Sequence, residues 1–296
     1  MPERRRGWGR AGRADNTVTV FTVALSILVL PFLVVASTLL YLAPANTEQH
    51  FAWTIDPGIT AMYLASAYIG GVWFFGSVVR VRSWHRVRRG FPAVLVFAGL
   101  LAIATLLHWE KFHAGHISFV AWTALYVTTP FLIGAALLLQ SGSDPGTAAP
   151  RDTVIPARWR IALAVLGLLS LGVGVVLFLV PALGVSTWAW PLTPLTARVL
   201  GATLTLPGMV NVWLLVDTRW SAFRILFQAQ LVSLGFILIA LLLSWSQLDF
   251  SRPAAWLLLP GLVGFLLLYA VFYSVCERRM RRRLPVSEPP VNPRTV

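Results

Sequence analysis

Carboxylates are scarce in this chain: of its 296 residues only 11 are Asp or Glu, and none lies near the middle of an apolar run. Proton-coupled pumps and many transporters keep ionisable side chains at bilayer depth, so a carrier for that chemistry is missing. Cysteine occurs once, as Cys276, which excludes an intrachain disulfide and a thiolate zinc cluster. There is no Walker loop, no GxSxG nucleophile elbow, no HExxH and no CxxCH haem-attachment motif. Alternation of polar and apolar residues is also absent, which removes a transmembrane barrel. Charged residues make up 12% of the chain, against about 25% in soluble domains. These absences leave no catalytic signature, and nothing in the sequence names a reaction or a substrate.

What is present is hydrophobicity. Apolar residues reach 57% and the mean hydropathy is +0.74. A bilayer core of about 30 Å takes roughly 20 helical residues to cross. Eight runs fit, at about 17–42, 58–79, 91–109, 117–139, 161–180, 196–216, 223–243 and 254–275. The first could be a signal peptide, with Ala43-Pro44-Ala45 as a cleavage site, but its apolar stretch exceeds the usual h-region of about 7–15 residues. It reads as a retained span with a kink at Pro31; Pro130 marks a further kink, and Pro207-Gly208 a break in the sixth span.

The net charge of +13 could suggest nucleic acid, but that reading requires one basic groove. Instead 21 of the 24 basic residues flank alternate runs, and only Lys111, Arg198 and Arg252 fall on the other faces. By the positive-inside rule this gives eight spans with both termini in the cytoplasm of a bacterial cytoplasmic membrane, and no nucleic-acid partner. Arginine outnumbers lysine 23 to 1, a codon bias of high-GC genomes. Trp53, Trp109, Trp188, Trp190 and Trp245 fall at outer span ends, and Trp84, Trp159 and Trp220 at inner ones, where indoles prefer the headgroup layer.

The chain also repeats itself. Phe51-Ala-Trp53 and Trp188-Ala-Trp190 are each followed by Pro and then by Thr-Ala opening an apolar run. Trp190 lies 137 residues beyond Trp53, Pro181-Ala182 lie the same distance beyond Pro44-Ala45, and one gap pairs Phe91 with Phe227 and Trp109 with Trp245. A further short gap pairs Trp122 with Trp256. Four spans per unit make the repeats parallel, related by an axis along the membrane normal. The expected fold is thus an all-α transmembrane eight-helix bundle made of two four-helix repeats. Its divisions are a basic cytoplasmic tail (1–16), a first membrane repeat (17–140), a flexible cytoplasmic linker (141–160), a second repeat (161–276) and a basic, Pro-rich tail (277–296), with both tails disordered. Small residues four apart, Ser66 with Gly70, Ser170 with Gly174 and Ala197 with Gly201, offer close helix contacts.

The duplication supplies an internal control, because what one copy lacks the common fold does not need. His50, His108, Glu110, His113 and His116 stand in the first copy, with Asp56, where the second has other residues. Imidazoles with a carboxylate can hold a metal or a haem. Solvated residues at the membrane edge are the plainer reading, since the spacing matches no metal motif and Gly115 interrupts any helix. Arg198, the one charge inside a run, can snorkel to the interface, bind an anion, or pair with Asp56 or Asp249. Asn211, Gln228 and Gln230 are the deeper polar groups, for interhelical hydrogen bonds or a ligand. The Pro44–Pro57 and Pro181–Pro194 segments, carrying Trp53 and Trp190, read as outer caps that could frame a vestibule.

Phe51 to Ala61, FAWTIDPGITA, together with His108 to His116, HWEKFHAGH, resembles a set of uncharacterised polytopic membrane proteins of high-GC, actinobacterial-type bacteria. The resemblance implies no activity. The functional expectation is a non-enzymatic, permease-like or accessory protein that binds a small-molecule or lipid partner at Arg198, Asn211, Asp56, Trp53 or Trp190. The alternatives are a metal- or haem-binding redox protein and a structural subunit beside a membrane-protein partner.

Overall fold

The computed structural model describes residues 16–144, 146 and 152–282. The expected tails, apart from Asn16 and 277–282, lie outside the described residues, as does part of the linker. With no water to satisfy peptide groups in lipid, long apolar runs close their hydrogen bonds internally, and all the long segments here are helices. They are α1 (Val20–Leu42), α2 (Thr47–His50), α3 (Gly58–Val81), α4 (Trp84–Val87), α5 (Phe91–Leu107), α6 (Ile117–Leu139), α7 (Ala157–Leu179), α8 (Pro181–Thr187), α9 (Pro194–Val212), α10 (Trp220–Leu243) and α11 (Pro253–Arg282). Eight helices are long and apolar enough to cross a membrane: α1, α3, α4 with α5, α6, α7, α9, α10 and α11. The protein is an all-α transmembrane bundle.

Helix ends follow local chemistry. Thr19 caps α1 by accepting from the Thr22 N–H, and Thr193 and Thr196 form a reciprocal capping box on α9. Pro31, Pro130 and Pro207 all lie inside continuous helices, so the expected break at Pro207 does not occur. Several boundaries differ from expectation by three or more residues. Helix α7 starts at Ala157, and α11 runs on to Arg282 because Glu277, buried, accepts from Trp220 Nε1 at 2.9 Å and pairs with Arg224 Nε at 2.7 Å.

Helix neighbours come in matched sets. Helix α1 packs on α3 and α7 on α9, α5 on α6 and α10 on α11, and α3 on α10 and α9 on α5. Backbone hydrogen bonds match as well. Val18 N–H donates to Arg82 O at 3.1 Å and Ile155 to Thr218 at 2.8 Å. Trp84 donates to Asn16 at 2.8 Å and Trp220 to Thr153 at 3.0 Å; His113 donates to Ala52 at 2.9 Å and Asp249 to Ala189 at 2.8 Å. Each pair sits at the spacing found in the sequence. Trp122 and Trp256, also paired in the sequence, differ in surroundings, at 1% and 66% exposed.

The closest helix contact is between α7 and α9, where a Cβ on Gly201 would stand 2.5 Å from Gly174 O. Only glycine lets the two backbones approach so far. Four of the tryptophans expected at the headgroup layer, Trp53, Trp84, Trp190 and Trp220, are instead buried in the protein. Trp109 and Trp245 are 48% and 42% exposed, as interfacial indoles should be.

The start of α1 and the end of α6 meet at one end of the bundle, where Thr22 Oγ1 donates to Gln140 Oε1 at 2.7 Å. The described residues Asp144 and Asp152, on either side of the linker's middle, are held at this same end. Asp144 pairs with Arg88 at 2.6 Å and Arg219 at 2.7 Å, while Asp217 takes Arg219 at 2.8 Å and Arg89 at 3.0 Å. Asp152 accepts from Ser221 Oγ and from the Ser221 N–H, and His85 Nε2 lies 3.0 Å from the same hydroxyl. Because a carboxylate accepts only, Ser221 donates to Asp152 and His85 donates to Ser221, an order that holds the loops together and leaves no free serine nucleophile. Glycine and proline content, on which the expectation of a flexible linker rests, is silent about the partners of Asp144 and Asp152.

Candidate functional site

Between the two sets of helices lies a cavity of about 250 Å³ to which all eight spanning helices contribute side chains. Its wall is apolar and aromatic, and none of the lining residues is charged. The polar groups on it are few, and their hydrogen bonding separates those that hold helices together from those that are left over.

Tyr126 on α6 donates to the Tyr68 hydroxyl on α3 at 2.8 Å, so both phenols are satisfied across the first four spans. Asn211 on α9 spends its Nδ2 on the Tyr269 hydroxyl of α11. Its Oδ1 has no hydrogen-bond partner among the described residues, although Asn211 is only 1% exposed. Gln230 on α10 has no partner for either Oε1 or Nε2. The nearby Gln228, by contrast, donates to Tyr273 at 2.7 Å and accepts from Trp73 at 3.3 Å. A buried amide edge without a partner costs about 1–3 kcal/mol, so two of them on one cavity wall call for an explanation.

Local sequence explains how Asn211 reaches this place. Gly167 on α7 faces it, and a Cβ there would come within 2.6 Å of Asn211 Cβ. The glycine makes room for the amide at the tightest contact in the bundle.

The other expected site residues lie apart from the cavity. Trp190 is buried and donates from Nε1 to Thr60 Oγ1 at 2.8 Å; Trp53 is equally buried among Phe51, Phe112 and Trp122. Asp56 is exposed, and Asp249 pairs with Arg252 at 2.7 Å, so neither serves Arg198. Arg198 instead donates from Nη1 to His108 Nε2 at 2.5 Å. Burial, and then the Arg198 charge, lower the His108 pKa, which keeps the ring neutral and able to accept. At the matching place in the other half, Ser244 donates to Met62 Sδ at 3.5 Å.

The histidines do not converge. His50 and Glu110 are exposed. His113 is held by Phe51 O at 3.0 Å and Thr54 Oγ1 at 3.1 Å, and His116 by Ser118 Oγ at 2.6 Å. Among the described residues no three His, Cys, Asp or Glu side chains stand where they could hold a metal ion. The His113 and His116 rings lie edge-on with centroids 6.5 Å apart, on either side of Gly115 at φ 87°, and each is held by its own hydrogen bonds and not by the other.

Sequence reasoning named Asn211 and Gln230 among the deep polar groups but gave no way to tell them from Gln228. It passed over Tyr68, Tyr126 and Tyr269, though a phenol inside an apolar run needs a partner and is a readable signal. It also passed over His85, the histidine buried in the linker contacts. No protein-family model, curated protein or solved structure matches the chain.

Proposed function

We propose that this is a membrane-embedded binding protein, permease-like or accessory and not an enzyme, that takes a small lipidic molecule between two parallel four-helix repeats. The observation that carries the reading is the uncharged cavity lined from all eight spans, with Asn211 and Gln230, whose amides keep unpartnered buried atoms, among the lining residues. Pockets for small molecules are mostly apolar and carry a few convergent polar groups that fix orientation. The cavity's position between matched helix pairs is where a parallel duplication leaves a seam. The arginine-rich end faces the cytoplasm of a bacterial cytoplasmic membrane, supported by the distribution of basic residues.

The test is organic extraction and mass spectrometry of protein purified in mild detergent, wild type beside Ala67→Phe. Ala67 lines the cavity, and a phenyl ring there would occupy part of it and obstruct a ligand. Wild type should retain a low-mass lipid in near-stoichiometric amount that the variant lacks. Identical extracts from the two would overturn the reading.

A further inference from the structure

The polar groups on the cavity wall define which lipidic molecule fits, an inference that rests on the binding role proposed above. Charge is excluded first. No lining residue carries a formal charge, and a carboxylate or phosphate brought there would be desolvated without a counter-ion. The ligand is therefore neutral.

Hydrogen bonding narrows it further. Tyr269 can donate or accept, so the Asn211 amide meets it through either edge and leaves the other edge unpartnered. That edge needs a donor in one orientation of the amide and an acceptor in the other. A hydroxyl supplies both; a ketone, quinone, ether or ester supplies only an acceptor. Gln230, also a lining residue, has both a donor and an acceptor without a partner, which a hydroxyl also answers. The remaining surface is mostly apolar and aromatic, as at Phe74, Phe97, Phe265 and Leu234; of its hydroxyls, Ser170 and Thr203 donate to backbone carbonyls of Leu204 and Leu200, and Tyr126 donates to Tyr68, while Thr129 and Ser233 also line it.

We propose that the cavity binds an uncharged lipidic alcohol, its hydroxyl held by Asn211 and Gln230 and its hydrocarbon laid against the aromatic wall. The probes that test this are three diazirine-bearing molecules of equal chain length: a primary alcohol, its methyl ether and the corresponding carboxylate. Each is photolysed with the protein in nanodiscs of zwitterionic lipid. Labelling is mapped to single residues by tandem mass spectrometry and normalised to that on the lipid-exposed Leu168 and Leu169 of α7.

The alcohol should label cavity-lining peptides at least about tenfold more than the ether or the carboxylate, the ratio expected when a buried amide is left unpaired. Gln230→Leu, which removes no hydrogen bond seen among the described residues, should lower alcohol labelling to the ether's level, and Asn211→Leu should do the same. If ether and alcohol label alike, or Gln230→Leu changes nothing, the assignment of an alcohol fails while the binding site stands. If no probe labels the cavity, the binding role fails with it.

Discussion

Replacing Gly201 with alanine tests the packing that sets the shape of the second half. The new Cβ would stand 2.5 Å from Gly174 O and 2.9 Å from Phe178 N, both backbone atoms that no side-chain rotation can move away. To restore an ordinary contact, α7 and α9 must part by roughly 0.9 Å, and a gap of that size forfeits about a quarter to a half of each dispersion well. Over the side chains along this face, at ~0.1–0.2 kcal/mol per atom pair, the loss comes to about 2 kcal/mol. Alanine's better helix propensity returns up to about 1 kcal/mol, leaving a net destabilisation of roughly 1–2 kcal/mol. Gly172→Ala on α7 is the matched control, because a Cβ there meets nothing within 4 Å. Unfolding followed by tryptophan fluorescence in bicelles titrated with SDS should rank Gly201→Ala below wild type and Gly172→Ala level with it or above. Equal midpoints for the two variants would refute the close-approach argument.

Three further outcomes follow from the polar contacts. Burial by itself would raise the Asp217 carboxyl, but hydrogen bonds from the Arg219 side chain and backbone and from Arg89 carry its pKa down to about 2. The folded value lies below the unfolded one, so its contribution, at most about 2 kcal/mol, is complete above pH ~4 and is lost as pH falls toward 2. Unfolding midpoints between pH 5 and 2 should show that slope in wild type and less of it in Asp217→Asn. Thr60→Val removes the acceptor of the buried Trp190 indole and should cost about 1–2 kcal/mol in the same assay, with Thr128→Val, at an exposed hydroxyl, close to neutral. The double variant His108→Ser with Arg198→Met recreates the Ser244–Met62 contact of the other half and should fold within about 0.5 kcal/mol of wild type. Because the His108 pKa is lowered, wild type should lose stability as pH falls below about 6.5, and the double variant should not.

The spans were legible because lipid permits only one backbone solution for a long apolar run, and eight such runs stand in the chain. The matched spacing of Trp53 with Trp190 and of Phe91 with Phe227 was legible because scarce or large residues mark positions that leucine cannot. What could not be read was which side of a helix each residue faces, since residues hydrophobic all round carry no amphipathic stripe. Trp84 and Trp220 therefore looked like headgroup anchors and are core residues. The same blindness hid the site: Gln228 and Gln230 are two residues apart, and only the packed bundle shows that one is satisfied and the other is not. For the histidines, closeness in sequence around a positive-φ glycine brings the His113 and His116 rings near each other but gathers no third ligand among the described residues.

The account stands on two four-helix units that enter the membrane from one side. Cysteine accessibility tests this most directly, with Cys276 replaced by Ala and single cysteines placed at Glu48, Ser143 and Ser251 in turn. In intact spheroplasts a membrane-impermeant maleimide should label Glu48→Cys and Ser251→Cys at once and Ser143→Cys only after lysis. Labelling of Ser143→Cys from outside, at the rate of Glu48→Cys, would contradict it.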